Sequence, residues 1–297
     1  MLVTSVTQRL AEESGGSRSP LGLIAGEGIF PLLVARGARA AGRKVVAAAF
    51  GGSAWPELRG EVDVFKWVGV VRVGQWIRVL RGQGCDEAIL VGRVAKEKIY
   101  GRWRFFQYIP DLRTAGIWFR ILHWDKRDQA VLGAIDRELA SEGIRLIDQT
   151  TYCTEHLASC GVMTHSPPTD KQWDDIRFGW DICQTISRLD IGQSIAVVDK
   201  NVIAVEAVEG TNAMIDRAGK LCKVGGWTLI KVSNAHQDMR LDVPTVGTTT
   251  IEKLHANRAA ALVLEPGKTI MLEKAKVLEL AERYKIAIVG YSPQAKP

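Results

Sequence analysis

Residues 21 to 50 constrain the fold more than any other stretch. Leu21-Gly-Leu-Ile-Ala25 is a short apolar run, and Lys44 to Phe50 is a second, apolar throughout after the lysine. Runs of this length read as buried strands. Between them lie Gly26-Glu27-Gly28 and a helical stretch from about Pro31 to Ala41 that Gly42 closes. Pro31 suits the first turn of that helix, where its missing N–H costs nothing. The result is a β-α-β unit, which calls for a parallel sheet.

The next residues extend the same pattern. Val62 to Val68 reads as a third strand, Gly74 to Arg81 as a helix, and Asp86 to Val91 as a strand ending at Gly92. Arg127 to Glu142 carries Ala130, Val131, Ala134, Ile135 and Leu139 at helical spacing and stops at Gly143, before a short strand from Ile144 to Ile147. The fold class is therefore α/β. A flexible leader over 1–20 precedes a doubly wound, Rossmann-like parallel-sheet domain over 21–148.

The polar stretch 149–170, with Pro167-Pro168, is the expected linker to a second, catalytic α/β domain over 171–297. There a helix spans Asp174 to Leu189, and strands Ser194 to Asp199 and Val202 to Glu206 form a hairpin around Lys200-Asn201. Thr211 opens another helix, and Trp227 to Val232 is a strand. Thr248 to Ala256 is a helix, and strands Ala260 to Leu264 and Thr269 to Leu272 flank Pro266-Gly267. A last helix from Lys274 to Tyr284 leads to the strand Ile286 to Val289.

Composition narrows the function. With 297 residues, 46% of them hydrophobic, the chain can bury two real cores. A formal charge of +6 favours anionic partners. The five cysteines have no C-x-x-C spacing, so neither a disulfide framework nor a zinc knuckle is indicated and a reducing cytoplasm fits. The histidines show no H-x-x-x-H or H-E-x-x-H, and no G-x-S-x-G elbow appears, which argues against zinc and serine hydrolysis. No run approaches the roughly 20 apolar residues of a spanning helix, so membrane contact is expected to be peripheral.

Three stretches carry candidate chemistry. Gly26-Glu27-Gly28, between a strand and a helix, offers backbone N–H groups and a helix dipole to a phosphate or nucleotide. It lacks the third glycine and the acidic residue of a dinucleotide fingerprint. His236 to Gly247 packs Asp238, Arg240 and Asp242, which share one face if the backbone is extended. Pro244 places Asp242 near a strand end. Arg240 can fork onto a phosphate, and Asp242 can ligate a cation or orient water. A plain Asp-Arg surface ion pair is the alternative. Asp190, Glu206 and Glu209 could join Asp242 around a hard divalent cation, or be solvated carboxylates, with Gly210 or Thr211 simply capping a helix.

Lys96 to Arg127 interleaves basic and aromatic residues and is interrupted by Pro110. It reads as a lid with core aromatics, a membrane-surface element, or a surface for single-stranded nucleic acid.

Taken together, the motifs resemble the UDP-2,3-diacylglucosamine pyrophosphatases of the LpxI type. The matching pieces are LGLIAGEGIFP (21–31), Ala38 to Gly42, RLDIGQ (188–193), AVEAVEGTNAM (204–214), KVSNAHQDMRLDVPTVG (231–247) and Ile288-Val-Gly290. Glu27 stands where that family usually has glycine, and Asn212 where it often has aspartate. The resemblance implies a two-domain enzyme that hydrolyses UDP-2,3-diacylglucosamine to UMP and 2,3-diacylglucosamine 1-phosphate, lipid X, in lipid A synthesis. It implies Mg2+ or another divalent cation as cofactor, a UDP-linked acylated sugar as partner, and a cytoplasmic place, peripheral at the inner face of the inner membrane; the sequence leaves the oligomeric state open, a homodimer among the options. Nucleic acid is not an expected partner. The D-[LV]-P-x-[IV]-G motif puts the catalytic role on Asp242. Metal candidates are Asp242, Asp190, Glu206, Glu209 and Asp238. Substrate-contact candidates are Gly26, Glu27, Gly28, Gln193, Gly210, Thr211, Asn212, Gln237, Arg240 and Thr245. A non-enzymatic nucleotide or nucleic-acid binding protein, and a relative acting on another nucleotide-sugar lipid, are the competing readings.

Overall fold

The computed structural model describes residues 19–94, 110–117, 119, 128–234, 238–241 and 243–293. The expected leader, except its last two residues, and most of the aromatic stretch lie outside them. The chain forms two units, which divide between Cys153 and Thr154, except that Met239–Asp242 counts with the first.

In the N-terminal unit the strands are β1 (Leu21–Ala25), β2 (Val45–Phe50), β3 (Val64–Val68), β4 (Glu87–Val91) and β5 (Arg145–Leu146). Helix α1 (Phe30–Ala40) follows β1, α2 (Val73–Gly82) follows β3, and α3 (Leu112–Ile117) and α4 (Asp128–Ser141) precede β5. The five strands form one parallel sheet in the order β3-β2-β1-β4-β5. All residues of β1 and β2 are buried, as two-sided burial by crossover helices requires. The doubly wound fold read from the sequence is the fold observed. Strand order runs outward from β1 in one direction and from β4 in the other, so the switch point lies at the C-terminal ends of these two strands.

The C-terminal unit holds β6 (Gly161–Val162), α5 (Asp170–Arg188), β7 (Ser194–Val198), β8 (Asn201–Val205), α6 (Gly210–Leu221), β9 (Thr228–Lys231) and β10 (Thr245–Val246). It continues with α7 (Thr248–Ala256), β11 (Ala261–Leu264), β12 (Ile270–Met271), α8 (Lys274–Tyr284) and β13 (Ala287–Gly290). Six of the strands form a sheet in the order β6-β13-β11-β9-β7-β8. Strands β9, β11 and β13 are parallel, while β6, β7 and β8 are antiparallel to their neighbours. Trp227, Leu229, Leu262 and Ile288 are fully buried in one of its cores.

Local differences from the sequence reading have identifiable causes. Helix α5 begins at Asp170 rather than Asp174, because Thr169 and Gln172 form a capping box in which each side chain accepts from the other residue's backbone N–H. The hairpin turn is Asp199-Lys200 rather than Lys200-Asn201. Both residues adopt left-handed φ, 48° and 58°, the twist a two-residue hairpin needs. Strand β12 pairs with β10 in a separate two-stranded sheet.

Candidate active site

In the C-terminal unit, polar side chains gather where β9 ends and β7 begins. The register pairs Ser194 with Lys231, and Glu206 lies one residue past β8. All three are nearly or wholly buried: Ser194 at 0%, Glu206 at 6% and Lys231 at 6% exposure. Buried charges need partners. The Lys231 ammonium donates to the Thr211 hydroxyl at 2.9 Å, and that hydroxyl donates to Glu206 Oε1 at 2.9 Å. The Ser194 hydroxyl donates to the second oxygen, Glu206 Oε2, and its own oxygen is 3.4 Å from that of Thr211. One carboxylate thus accepts two hydroxyls, with an ammonium one step away.

Two of the sequence motifs meet here. Gly192 of RLDIGQ is pressed against the backbone of Glu206, since a Cβ on it would lie 2.0 Å from the Glu206 carbonyl oxygen. Gly210 has φ +80° and turns the chain into α6, so that Thr211 enters the cluster from the helix's first turn. The Gln193 side-chain oxygen is buried without a hydrogen-bond donor, an acceptor suited to a ligand N–H or O–H. Asn212 is exposed beside Thr211.

The other carboxylates have separate surroundings. Asp190 has φ +56° and accepts from the Asn234 amide at 2.9 Å. Glu209 pairs with Arg217 at 2.6 Å, and its own backbone N–H followed by that guanidinium holds its carboxyl below the usual range. Glu265, just past β11, accepts the Ser233 hydroxyl at 2.6 Å and the Ser233 N–H at 2.9 Å. Burial pushes Glu265 up, but hydrogen bonds from Lys268 and Ser233 outweigh it and hold the carboxyl below the ordinary range. Asp238 and Thr245 are half-buried, Thr245 in β10.

In the N-terminal unit the glycine loop lies at the switch point. Gly26 N–H donates to the Val91 carbonyl at 2.8 Å, and Glu27 and Arg93 exchange backbone bonds at 2.7 and 2.9 Å. A Cβ on Gly26 would meet the Arg93 carbonyl oxygen at 2.5 Å, so the loop can hug β4 only with glycine there. Gly28 has φ +110° and open space around its Cα.

The described residues around Asp238 and Arg240, 238–241, do not run as a strand. Met239 to Leu241 form a turn, so alternation does not set their faces. The cause is local anchoring: Leu241 packs on the N-terminal core, and Arg240 pairs with Asp136 at 3.2 Å. Asp242 and Gln237 lie outside the described residues. Among the described residues, no three His, Cys, Asp or Glu side chains form a group that could hold a metal. Asp190, Glu206 and Glu209 each already accept from a protein donor. These residues alone do not supply a ligand set for Mg2+.

Sequence reasoning missed Lys231, Ser194, Asp136 and Gln149. Lys231 left one signal, a cation ending the otherwise apolar run Trp227 to Val232.

Comparison with known proteins bears on the whole chain. The LpxI N-terminal domain model matches residues 20–156, and the LpxI C-terminal domain model matches 159–289. The chain is 30% identical over 285 residues to the UDP-2,3-diacylglucosamine pyrophosphatase LpxI of Caulobacter vibrioides, covering 93% of this chain and 99% of that protein. With both domain models matched and a relative 30% identical over nearly all of its length, the chain belongs to the LpxI family.

Proposed function

We propose that this chain hydrolyses the pyrophosphate of UDP-2,3-diacylglucosamine, giving UMP and 2,3-diacylglucosamine 1-phosphate in lipid A synthesis. It is a hydrolase acting on a phosphoanhydride. The observation that carries this reading is the end-to-end correspondence with a pyrophosphatase of that name, covering 99% of that protein's length.

The geometry is compatible with the chemistry. Water adds to one phosphorus, the bridging oxygen leaves with the other, and the proton lost by water needs a base. Asp242 takes that role, orienting the water and accepting its proton. The glycine loop at the switch point offers backbone N–H groups to the nucleotide portion. In the C-terminal unit, Lys231 and Thr211 lend positive potential and a fixed hydroxyl at the strand ends. A divalent cation, Mg2+, neutralises pyrophosphate charge when bound. Its ligand set is not complete among the described residues, and no step here is routed through it. The acyl chains of the substrate place the reaction at a membrane surface, and among the described residues no helix is long and apolar enough to cross one.

The test is direct. Purified protein is given UDP-2,3-diacylglucosamine with Mg2+, and UMP and the lipid 1-phosphate are quantified. Equal amounts of both are expected. No UMP, or equal hydrolysis of an unacylated UDP-sugar, would overturn the assignment.

A further inference from the structure

The turn that precedes Asp242 in sequence is held by three contacts. Arg240 faces Asp136 of α4 with both terminal nitrogens, Nη2 to Oδ2 at 3.2 Å and Nη1 to Oδ1 at 3.4 Å. That is the two-pronged geometry by which arginine fixes a carboxylate. Leu241 packs against the core that includes Ala134, Leu139 and Leu146. The Met239 carbonyl accepts from the Gln149 N–H at 3.1 Å.

Gln149 shows where this anchoring leads. It is only 5% exposed, and its side-chain amide donates to the Leu90 carbonyl of β4 at 2.6 Å. Leu90 pairs with Ile24 in the sheet register, and Val91 with Ala25, the residue before Gly26. The turn is therefore fixed to the C-terminal end of β4, beside β1, the strand that leads into the glycine loop. A partly exposed ion pair such as Asp136–Arg240 contributes little to folding. Its two-pronged geometry instead suits the holding of a loop in register. The face of Arg240 that would fork onto a phosphate is turned to Asp136.

We propose that Asp136 and Gln149 are positioning residues: through Arg240 and Met239 they dock the turn that precedes Asp242 in sequence at the end of β4, and Arg240 is an anchor rather than a phosphate clamp. This rests on the catalytic assignment of Asp242 made above. Small displacements of a reacting group are costly, with a 1 Å misplacement capable of lowering rate about 100-fold. The cost falls on turnover rather than on substrate binding.

The experiment uses the full chain and measures kcat, KM and thermal midpoint for wild type, D136N, R240D, the exchanged pair D136R/R240D, and D242N. D136N is expected to lower kcat about tenfold, with KM and thermal midpoint little changed, since it keeps shape and loses only the charged pairing. R240D is expected to lose more, and D136R/R240D to regain most of that loss. Wild-type kcat in D136N, beside an inactive D242N, would overturn the positioning role alone. An exchanged pair as inactive as R240D would return Arg240 to the substrate and overturn the anchor. Full activity in D242N would instead remove the catalytic assignment itself.

Discussion

Lys231 and Thr211 sit 20 residues apart in sequence and are joined by a 2.9 Å hydrogen bond whose acceptor passes its own proton donation on to Glu206. An ammonium and a carboxylate are thus linked inside the protein through one hydroxyl. Removing the ammonium leaves the carboxylate buried with only neutral donors. Lys231→Met is expected to cost about 3 kcal/mol, the range for an uncompensated buried charge. The lowered urea midpoint should recover in part when Glu206→Gln is added. A single variant as stable as wild type would show that the two charges are not coupled.

Gly192→Ala tests how tightly the RLDIGQ and AVEAVEGTNAM motifs are joined. The new methyl would lie 2.0 Å from the Glu206 carbonyl oxygen, a backbone atom that cannot rotate away. The chain after β8 must shift, at about 1–3 kcal/mol. Turnover should fall with stability, because Glu206 and Thr211 move together. Unchanged melting and activity would mean that this approach is not tight in solution.

Stability should decline in alkali through two thiols. Burial pushes Cys183 up from 9.0 to about 12 and Cys85 up to about 11. The folded chain therefore keeps protons that the unfolded chain loses. The contribution is fully present below pH 9 and is lost as pH rises from 9 toward 11 and 12. Cys183→Val should show a shallower fall in thermal midpoint above pH 9 than wild type. Parallel curves would exclude the thiol. In the folded protein a thiol reagent should label exposed Cys160 first, and Cys183 only on unfolding.

Asp242→Ala is expected to abolish UMP release while leaving substrate binding and the melting curve near wild type. Near-normal turnover would remove Asp242 from catalysis. Excess EDTA should stop the wild-type reaction and added Mg2+ restore it, whereas full activity in EDTA would defeat the cation requirement.

The fold was legible because burial on both faces writes itself as uninterrupted apolar runs. LGLIA matches β1 to the residue, and VVAAAF is β2. Turn chemistry was half-legible. The Thr169–Gln172 capping box is an S/T-x-x-E/Q pattern open to inspection, whereas Asp199 in the hairpin turn gave no glycine or asparagine signal at its own position. The site was legible where glycines and motif strings mark close approach, as at Gly26 and Gly192. It was not legible where two ordinary charged residues far apart in sequence meet. Asp136 and Arg240 are separated by 104 residues, and neither has a local pattern that names the other. The same holds for Lys231, whose burial depends on Thr211 and Glu206 arriving from a different strand and helix.

The assignment of Met239–Asp242 to the N-terminal unit also sets an order of events during synthesis. Domains tend to fold as they leave the ribosome, first half first. Here the first half leaves the tunnel before Leu241 can pack on its core, and with Gln149 and Asp136 still lacking their later partners. The nascent N-terminal sheet can close over itself early, but it is finished only after translation has passed Leu241. Cutting the gene between the two halves would therefore release a first fragment that never receives its last piece.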